Sequence, residues 1–155
     1  MVKVLRSTLV HQPIENVWNI LRDFNGHDQW HPAIATSQIE RGDASDRIGC
    51  VRKFKLQDGS ELREQLLTMS DLEQTYSYCL FETPIPLFNY VSHVRLYPVT
   101  DTNETIWEWE GQFDTPAGRQ TELSELVGKD IYQAGFEAIK QVLAQQSSSH
   151  HGALS

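Results

Sequence analysis

The stretch TELSELVGKDIYQAGFEAIKQVLAQ, residues 121–145, is the longest amphipathic segment of the chain. Its apolar residues recur at a helical spacing, and a second row beside them widens the stripe. The first row holds Leu123, Val127, Ile131, Ala134, Ala138 and Val142, and the second holds Phe136, Ile139 and Leu143. A stripe of this width predicts a long helix that packs against a large apolar surface.

The chain before this helix is dominated by segments that alternate apolar and polar residues, as strands with one buried face do. The predicted strands lie at about 2–10, 37–41, 50–56, 60–69, 75–82, 90–97 and 105–113. Turn-forming residues separate neighbouring strands, and Asp58-Gly59 is the strongest hairpin signal among them. The pattern predicts a seven-stranded antiparallel meander.

Two short helical segments are predicted between the first strand and the second. The apolar residues of the first segment follow a helical spacing: Ile14, Val17, Trp18 and Leu21. This helix should end near residues 24–26, where asparagine and glycine suit a C-terminal cap. The second segment, at about 28–35, contains Pro32 and therefore cannot be a regular helix throughout.

This order of elements predicts an α+β fold. Seven strands cannot bury both faces of a sheet by themselves, so the long helix is expected to cover the concave face. Residues 1–146 then form a single domain, which suits a chain of 155 residues. Residues 147–155 are polar and rich in serine and histidine, and we expect them to form a disordered tail.

Composition and charge narrow the classes of function. Hydrophobic residues make up 39% of the chain, and the formal net charge is −8. An acidic chain without a basic cluster repels nucleic-acid phosphates, so nucleic acid is not an expected partner. We see neither a signal peptide nor an apolar run long enough to span a membrane, and we expect a cytoplasmic protein. The oligomeric state stays open, with a homodimer as one possibility.

Motifs for covalent, nucleotide-dependent or metal chemistry are missing from the sequence. There is no nucleophile elbow, no phosphate-binding glycine loop and no zinc-protease motif. Cys50 and Cys79 lie inside predicted strands and should be free, largely buried thiols. His27 and His31 have the four-residue spacing of a metal pair, but Gly26 and Pro32 bracket them and no third ligand matches. We therefore expect no cofactor and no metal.

Glu64 is an acidic residue at a position where the strand pattern predicts burial. It alternates with Leu62 and Leu66, so all three should share an apolar face of the sheet. A carboxylate there must be paired, hydrogen-bonded or protonated. It either lines a pocket with a raised pKa or pairs with an arginine on a neighbouring strand, for which Arg52 is the obvious candidate. The two interpretations are compatible.

Several short motifs occur in an order that resembles the START-related SRPBCC superfamily, in particular its bacterial polyketide cyclase/dehydrase-like branch. They are Pro13-x4-Trp18-x2-Leu21-x-Asp23-Phe24, Trp30-His31-Pro32, Ile48-Gly49-x2-Arg52, Asp58-Gly59, Arg63-Glu64-Gln65-Leu66, Asn89-Tyr90, Glu108-Trp109 and Gly135-Phe136-x2-Ile139. The resemblance covers about residues 2–145. It implies the helix-grip fold, in which a curved sheet wraps a C-terminal helix and encloses a deep pocket for flat apolar molecules.

The resemblance also implies pocket positions, through the plant abscisic-acid receptors of the same superfamily. His31 falls where those receptors place a pocket lysine, Glu64 and Glu110 fall on pocket acids, and Tyr90 and Ser92 fall on pocket hydroxyls. The implied lining positions are Phe54, Leu56, Tyr78, Leu80, Val127, Ile131 and Gly135. The receptors' gate-loop motifs are not matched here, so the resemblance does not imply hormone signalling.

The last predicted strand leaves one orientation open. Trp107 and Trp109 alternate with Glu108 and Glu110, so only one of these pairs can face the concave side. The usual preference buries the tryptophans. The resemblance instead turns Glu110 inward, and a bulge at Gly111 would allow that orientation. On balance we expect Glu110 to reach the pocket.

Two functions fit this sequence. The first is a carrier or sensor that binds a small hydrophobic molecule, such as a lipid, a polyketide or an aromatic compound, in an internal cavity. The second is an enzyme of the polyketide cyclase, dehydratase or isomerase type. In the enzyme, Glu64, His31 or Tyr78 would transfer a proton. The absence of a catalytic motif favours the binding function.

Overall fold

A computed structural model describes the backbone of residues 1–154 and the side chains of residues 1–146. Its seven strands are β1 (Val2–Val10), β2 (Ile34–Ile39), β3 (Val51–Leu56), β4 (Glu61–Ser70), β5 (Thr75–Glu82), β6 (Phe88–Val99) and β7 (Glu104–Asp114). They form one antiparallel sheet in the order β1-β7-β6-β5-β4-β3-β2. The predicted seven-stranded antiparallel sheet and α+β class are confirmed, because every strand after β2 pairs with its predecessor along the chain.

The hairpin between β3 and β4 turns at the predicted Asp58-Gly59. Gly59 has a φ of 88°, a conformation that costs glycine little. The Asp58 carboxylate accepts a hydrogen bond of 2.8 Å from the backbone N–H of Ser60. This turn sets the register that places Arg52 directly opposite Glu64.

The two helical segments after β1 differ from each other in regularity. Helix α1 (Ile14–Leu21) starts after Pro13 and buries the four apolar residues of the predicted stripe. The second segment is only a 3₁₀ turn (Gly26–Gln29), and β2 begins at Ile34 rather than at residue 37. The expected helix at about 28–35 is therefore wrong in extent. Pro32 disfavours helical conformation in the residue before it, so the chain is already leaving the helix there.

The C-terminal helix consists of three consecutive segments. They are α2 (Gln120–Glu125), a π-helical segment (Leu126–Gln133) and α3 (Ala134–Leu154). Its buried aromatic residues pack against β7: Tyr132 stacks on Trp109 with ring centroids 4.4 Å apart, and Phe136 meets Trp107 edge-on at 4.6 Å. The long helix predicted to cover the sheet is thus confirmed, and its contact with the two tryptophans is part of the hydrophobic core.

The π-helical segment changes which residues of the helix are buried. A regular helix would place Ile131 one turn after Val127 on the same face. The wider turn instead buries Tyr132 completely and leaves Ile131 half-buried. Ile131 therefore packs only partly against the core.

Gly135 lies where the helix packs tightly against Trp109 of β7, and Gly135→Ala should destabilise the protein. A Cβ there would sit 2.9 Å from Cζ3 of the buried Trp109 and 3.2 Å from the His31 ring. Neither ring can swing away, so overpacking of about 1–3 kcal/mol should exceed the gain in helix propensity of about 1 kcal/mol. Thermal or denaturant unfolding measures the difference.

Gly128→Ala is the matched control for that variant. Its Cβ would meet the end of the Arg6 side chain, at 2.8 Å from Nη2, and Arg6 is exposed and able to move. We expect Gly128→Ala to be neutral or slightly stabilising. Equal losses of stability in both variants would show that close packing at Gly135 is not the reason for the effect.

Three remaining expectations concern the cysteines, the C-terminal tail and the membrane. Cys50 is buried, Cys79 is half-buried and both are free thiols, as predicted. The backbone of α3 continues to Leu154, into the region 147–155 that was expected to form a disordered tail. The side chains of this region lie outside the described residues, and its disorder stays a prediction. In the part of the chain that the structure covers, no helix is long and apolar enough to cross a membrane.

Candidate functional site

A cavity of about 200 Å³ lies between the sheet and the C-terminal helix. Leu126, Asp130 and Ile131 line it from the helix, and Ile85 and Leu87 line it from the β5–β6 connection. The remaining lining residues come from the β1–β2 connection and from the sheet: His27, Trp30, His31, Ala33, Ile34, Arg52, Phe54, Leu56, Leu62, Glu64, Tyr76, Tyr78, Leu80, Tyr90 and Trp109. Most of these side chains are apolar or aromatic, which is typical of sites for small organic ligands.

The buried ion pair Arg52–Glu64 forms the charged part of the lining. Arg52 donates to Oε1 of Glu64 from Nε at 2.9 Å and from Nη2 at 2.6 Å, and its Nη1 donates to the Phe24 carbonyl at 2.5 Å. The guanidinium also lies 3.9 Å from the centre of the Phe24 ring. All three donor nitrogens of Arg52 are therefore engaged, whereas Oε2 of Glu64 accepts no hydrogen bond from the described residues.

Burial and pairing act against each other on the pKa of Glu64. Loss of water around the carboxylate raises its pKa, and the adjacent Arg52 only partly offsets that effect. The pairing with Arg52 allowed by the sequence is present, but the pKa is raised rather than lowered. Arg52 stays charged, because Glu64 and the neighbouring tyrosines raise its pKa despite burial.

His27 lies in the wall of the cavity without a hydrogen-bond partner. Its side chain is buried, and within the described residues neither ring nitrogen has a donor or an acceptor. The ring packs edge-on against Phe54, with centroids 4.8 Å apart. Burial, assisted by the positive charge of Arg52, holds the pKa of His27 well below its ordinary value. The imidazole is therefore neutral at neutral pH, with one donor and one acceptor nitrogen unused.

His31 connects the segment before β2 to the C-terminal helix. Its Nδ1 accepts a hydrogen bond of 3.1 Å from the backbone N–H of Ala33, so the proton resides on Nε2. Nε2 then donates to the Ile131 carbonyl at 2.7 Å. Burial lowers the pKa of His31, which keeps this tautomer neutral. The His31 ring lines the cavity, but both of its polar atoms are already occupied.

A cluster of hydroxyl groups connects β6 to the C-terminal helix, and one of its members, Tyr90, lines the cavity. Tyr90 and Tyr132 share a hydrogen bond of 2.5 Å, and Tyr132 is 3.0 Å from Oγ of Ser92. Ser92 in turn accepts from Nε1 of Trp109 and donates to the Glu110 carbonyl. These polar groups satisfy one another, so the cluster fixes the C-terminal helix on the sheet rather than offering free groups to a ligand.

The predicted site residues divide into three groups by their placement. Eight line the cavity: His31, Phe54, Leu56, Glu64, Tyr78, Leu80, Tyr90 and Ile131. Ser92, Val127 and Gly135 are buried but do not line it. Glu110 lies elsewhere.

Glu110 lies on the opposite face of β7 from the cavity, so the expectation that it reaches the pocket is corrected. The Glu110 carboxylate is 3.3 Å from the Lys3 ammonium on β1 and partly exposed to solvent. β7 pairs with β6 in unbroken register through Gly111, so no bulge reverses the facing of its residues there. Trp107 and Trp109 take the inner positions, because burying two indoles gains far more apolar area than burying carboxylates.

Four candidate site residues that line the cavity were not among those predicted from the sequence. Tyr76 has the same strand parity as Tyr78 and could have been included on that ground. Trp30 lines the cavity next to His31. His27 was considered only as a metal ligand, and among the described residues no group of three or more histidine, cysteine or acidic side chains could hold a metal. Trp109 was expected on the outer face of β7, because Glu110 was expected to reach the pocket.

The chain belongs to the polyketide cyclase/dehydrase and lipid transport family, whose model matches residues 1–144. The expected SRPBCC resemblance is thereby confirmed, together with the helix-grip fold. No protein with a curated description matches the chain significantly.

Several solved structures share this fold over nearly the whole chain. The protein XoxI from Bacillus cereus is 28% identical with a TM-score of 0.84, covering 95% of this chain and 99% of its own. An uncharacterised protein from Bacillus thuringiensis is 29% identical with a TM-score of 0.80, covering 91% and 98%. A protein from Thermobifida fusca is 25% identical with a TM-score of 0.81, covering 90% and 91%. These similarities support the helix-grip fold.

Proposed function

We propose that this protein binds a small hydrophobic molecule in the cavity beneath the C-terminal helix, as a carrier or a sensor. The observation that carries the proposal is a cavity between the sheet and the C-terminal helix in which aromatic and aliphatic side chains surround a few polar groups. The family, which includes lipid transport, supports the same function. An unfilled apolar cavity lowers stability, so its retention favours a role in binding.

The hydrogen-bond network favours binding over proton transfer. Both nitrogens of His31 are occupied by backbone groups, so it cannot exchange a proton without breaking a contact. Burial holds the pKa of Tyr78 well above its ordinary value. The phenol therefore stays protonated at neutral pH and is not available as a base. Among the three candidates, Glu64 alone has a free oxygen and a raised pKa. A cyclase, dehydratase or isomerase activity would therefore depend on Glu64.

Native mass spectrometry of the purified protein tests the binding function. We expect a mass above that of the chain which disappears on denaturation, and the released molecule should be apolar. Ile131→Phe places a larger side chain into the cavity and should remove this ligand. The control is Val142→Phe, at another half-buried position of the same helix outside the cavity, which should keep it. A protein that stays ligand-free and binds no apolar molecule would contradict the proposal.

A further inference from the structure

The unused nitrogens of His27 are the feature of the cavity that the fold itself does not explain. Buried polar atoms are almost always hydrogen-bonded, and an unsatisfied one costs free energy. His27 leaves two such atoms in the cavity wall, and Nε1 of Trp30 in the same lining also has no partner among the described residues. His31, four residues later, is by contrast fully satisfied by backbone groups. The difference indicates that His27 is kept for a group that enters the cavity.

The charges around the cavity indicate that the entering group is neutral. Among the described residues of the lining, Arg52 is the one basic side chain that is charged at neutral pH. Its charge is already paired with Glu64, and three of its five N–H groups donate to Glu64 and to the Phe24 carbonyl. A carboxylate or phosphate on the ligand would therefore find no free cation, and it would meet the carboxylates of Glu64 and Asp130. A cation would have to compete with Arg52 for Glu64. Burying an uncompensated charge is unfavourable in both cases.

The hydrogen-bond donors and acceptors of the cavity narrow the class of ligand further. A neutral imidazole presents one N–H donor and one acceptor nitrogen. A hydroxyl group both donates and accepts, so it can bond to either nitrogen of His27. The free Oε2 of Glu64 offers it a second acceptor in the same lining. A methyl group or a halogen in that place would leave the histidine nitrogens unsatisfied.

The size of the cavity sets the scale of the ligand. A closed apolar cavity of about 150 Å³ is large enough for benzene. The volume of about 200 Å³ found here is therefore suited to a single ring with small substituents. The aromatic rings of the wall, among them Phe54, Tyr76 and Tyr78, offer it edge and face contacts.

We propose that the cavity takes an uncharged molecule of about one substituted ring, and that His27 binds its hydroxyl group. This inference rests on the proposed binding function and adds the class of ligand to it. It makes His27 a specificity-determining residue that distinguishes a phenol or small ring alcohol from the hydrocarbon of the same shape.

Three probes that share one ring test this proposal: toluene, p-cresol and p-toluate. Amide NMR titrations give the affinity of each probe and the cavity residues that it contacts. In the wild type, p-cresol and toluene should bind and p-toluate should bind most weakly. His27→Phe should lower the affinity for p-cresol about tenfold, the loss expected for one hydrogen bond at the upper end of the usual range. The affinity for toluene should change by less than about threefold, which corresponds to less free energy than that hydrogen bond contributes.

The affinity of His27→Gln for p-cresol and the ring nitrogen resonances of wild-type His27 provide two independent measurements. The glutamine amide carries both a donor and an acceptor, so His27→Gln should keep more of the p-cresol affinity than His27→Phe. The ring nitrogen resonances of His27 should shift with p-cresol and stay unchanged with toluene. This measurement needs no variant and therefore holds even if His27→Phe does not fold.

The outcomes separate the two proposals. If neither toluene nor p-cresol binds in the cavity, the ligand class is refuted, and the binding function is then decided by the native mass spectrometry described above. If toluene binds while His27→Phe affects p-cresol and toluene equally, the binding function stands and the role of His27 is refuted. Tightest binding of p-toluate would likewise refute a neutral hydroxyl ligand.

Discussion

Replacing Arg52 with methionine should destabilise the protein by about 3–5 kcal/mol, the usual cost of removing one member of a buried ion pair. Methionine keeps much of the apolar volume but none of the donors. Glu64 would then be buried without a partner, and the Phe24 carbonyl would lose its hydrogen bond. Chemical denaturation at neutral pH, with the slope checked against the wild type, measures the loss.

The stability of Arg52→Met should depend on pH with a known sign. Burial already raises the pKa of Glu64, and removing Arg52 takes away the main influence that lowers it. A carboxyl whose pKa is raised on folding binds more protons in the folded state, so stability falls as pH rises through the folded pKa. The variant should therefore lose more stability at about pH 8 than at about pH 5. A loss independent of pH would show that Glu64 is not the affected group.

Two further variants separate the contribution of the Arg52–Glu64 pair from other effects on stability. Arg52→Met combined with Glu64→Leu removes the stranded carboxylate, so this double variant should be more stable than Arg52→Met alone and should lose the added pH dependence. Arg63→Met is the control, because Arg63 pairs with Glu40 and Glu82 on the solvent side of β4. That exposed network is screened by water, so Arg63→Met should cost much less.

Phe136→Ala should also cost about 3–5 kcal/mol, as expected for a large side chain removed from a fully buried position. Its ring fills the space between α3 and the two tryptophans of β7, at 4.6 Å from Trp107 and 6.2 Å from Trp109. The alanine would leave a hole that the rigid indoles cannot close. Thermal and denaturant unfolding should both show the loss.

Phe88→Ala is the matched control, since Phe88 lies on the sheet with half of its surface exposed. It should change stability by well under half as much as Phe136→Ala, because far less apolar area returns to water. If the two variants were equally destabilised, the contact between the helix and β7 would not be the main source of stability in this fold.

The sequence by itself determined the number and order of the strands, the first helix and the position of the long helix. These features follow from local patterns: alternation with period two, helical spacing, and turn residues such as Asp58-Gly59. The same turn fixed the register of its hairpin, so the facing of Arg52 and Glu64 also follows from local chemistry. Strand parity accounts for most of the predicted lining residues for the same reason.

The tertiary structure alone decided which residues of the C-terminal helix are buried and which face of β7 points to the cavity. The π-helical segment exchanges Ile131 for Tyr132 on the buried face, and the gain comes from Tyr132 stacking on Trp109 and bonding to Tyr90. The facing of β7 was settled by the same tryptophan, which leaves Glu110 outside. The free nitrogens of His27 became visible only in the fold. A hydrogen bond that is missing depends on every neighbour in space, and these neighbours come from distant parts of the chain.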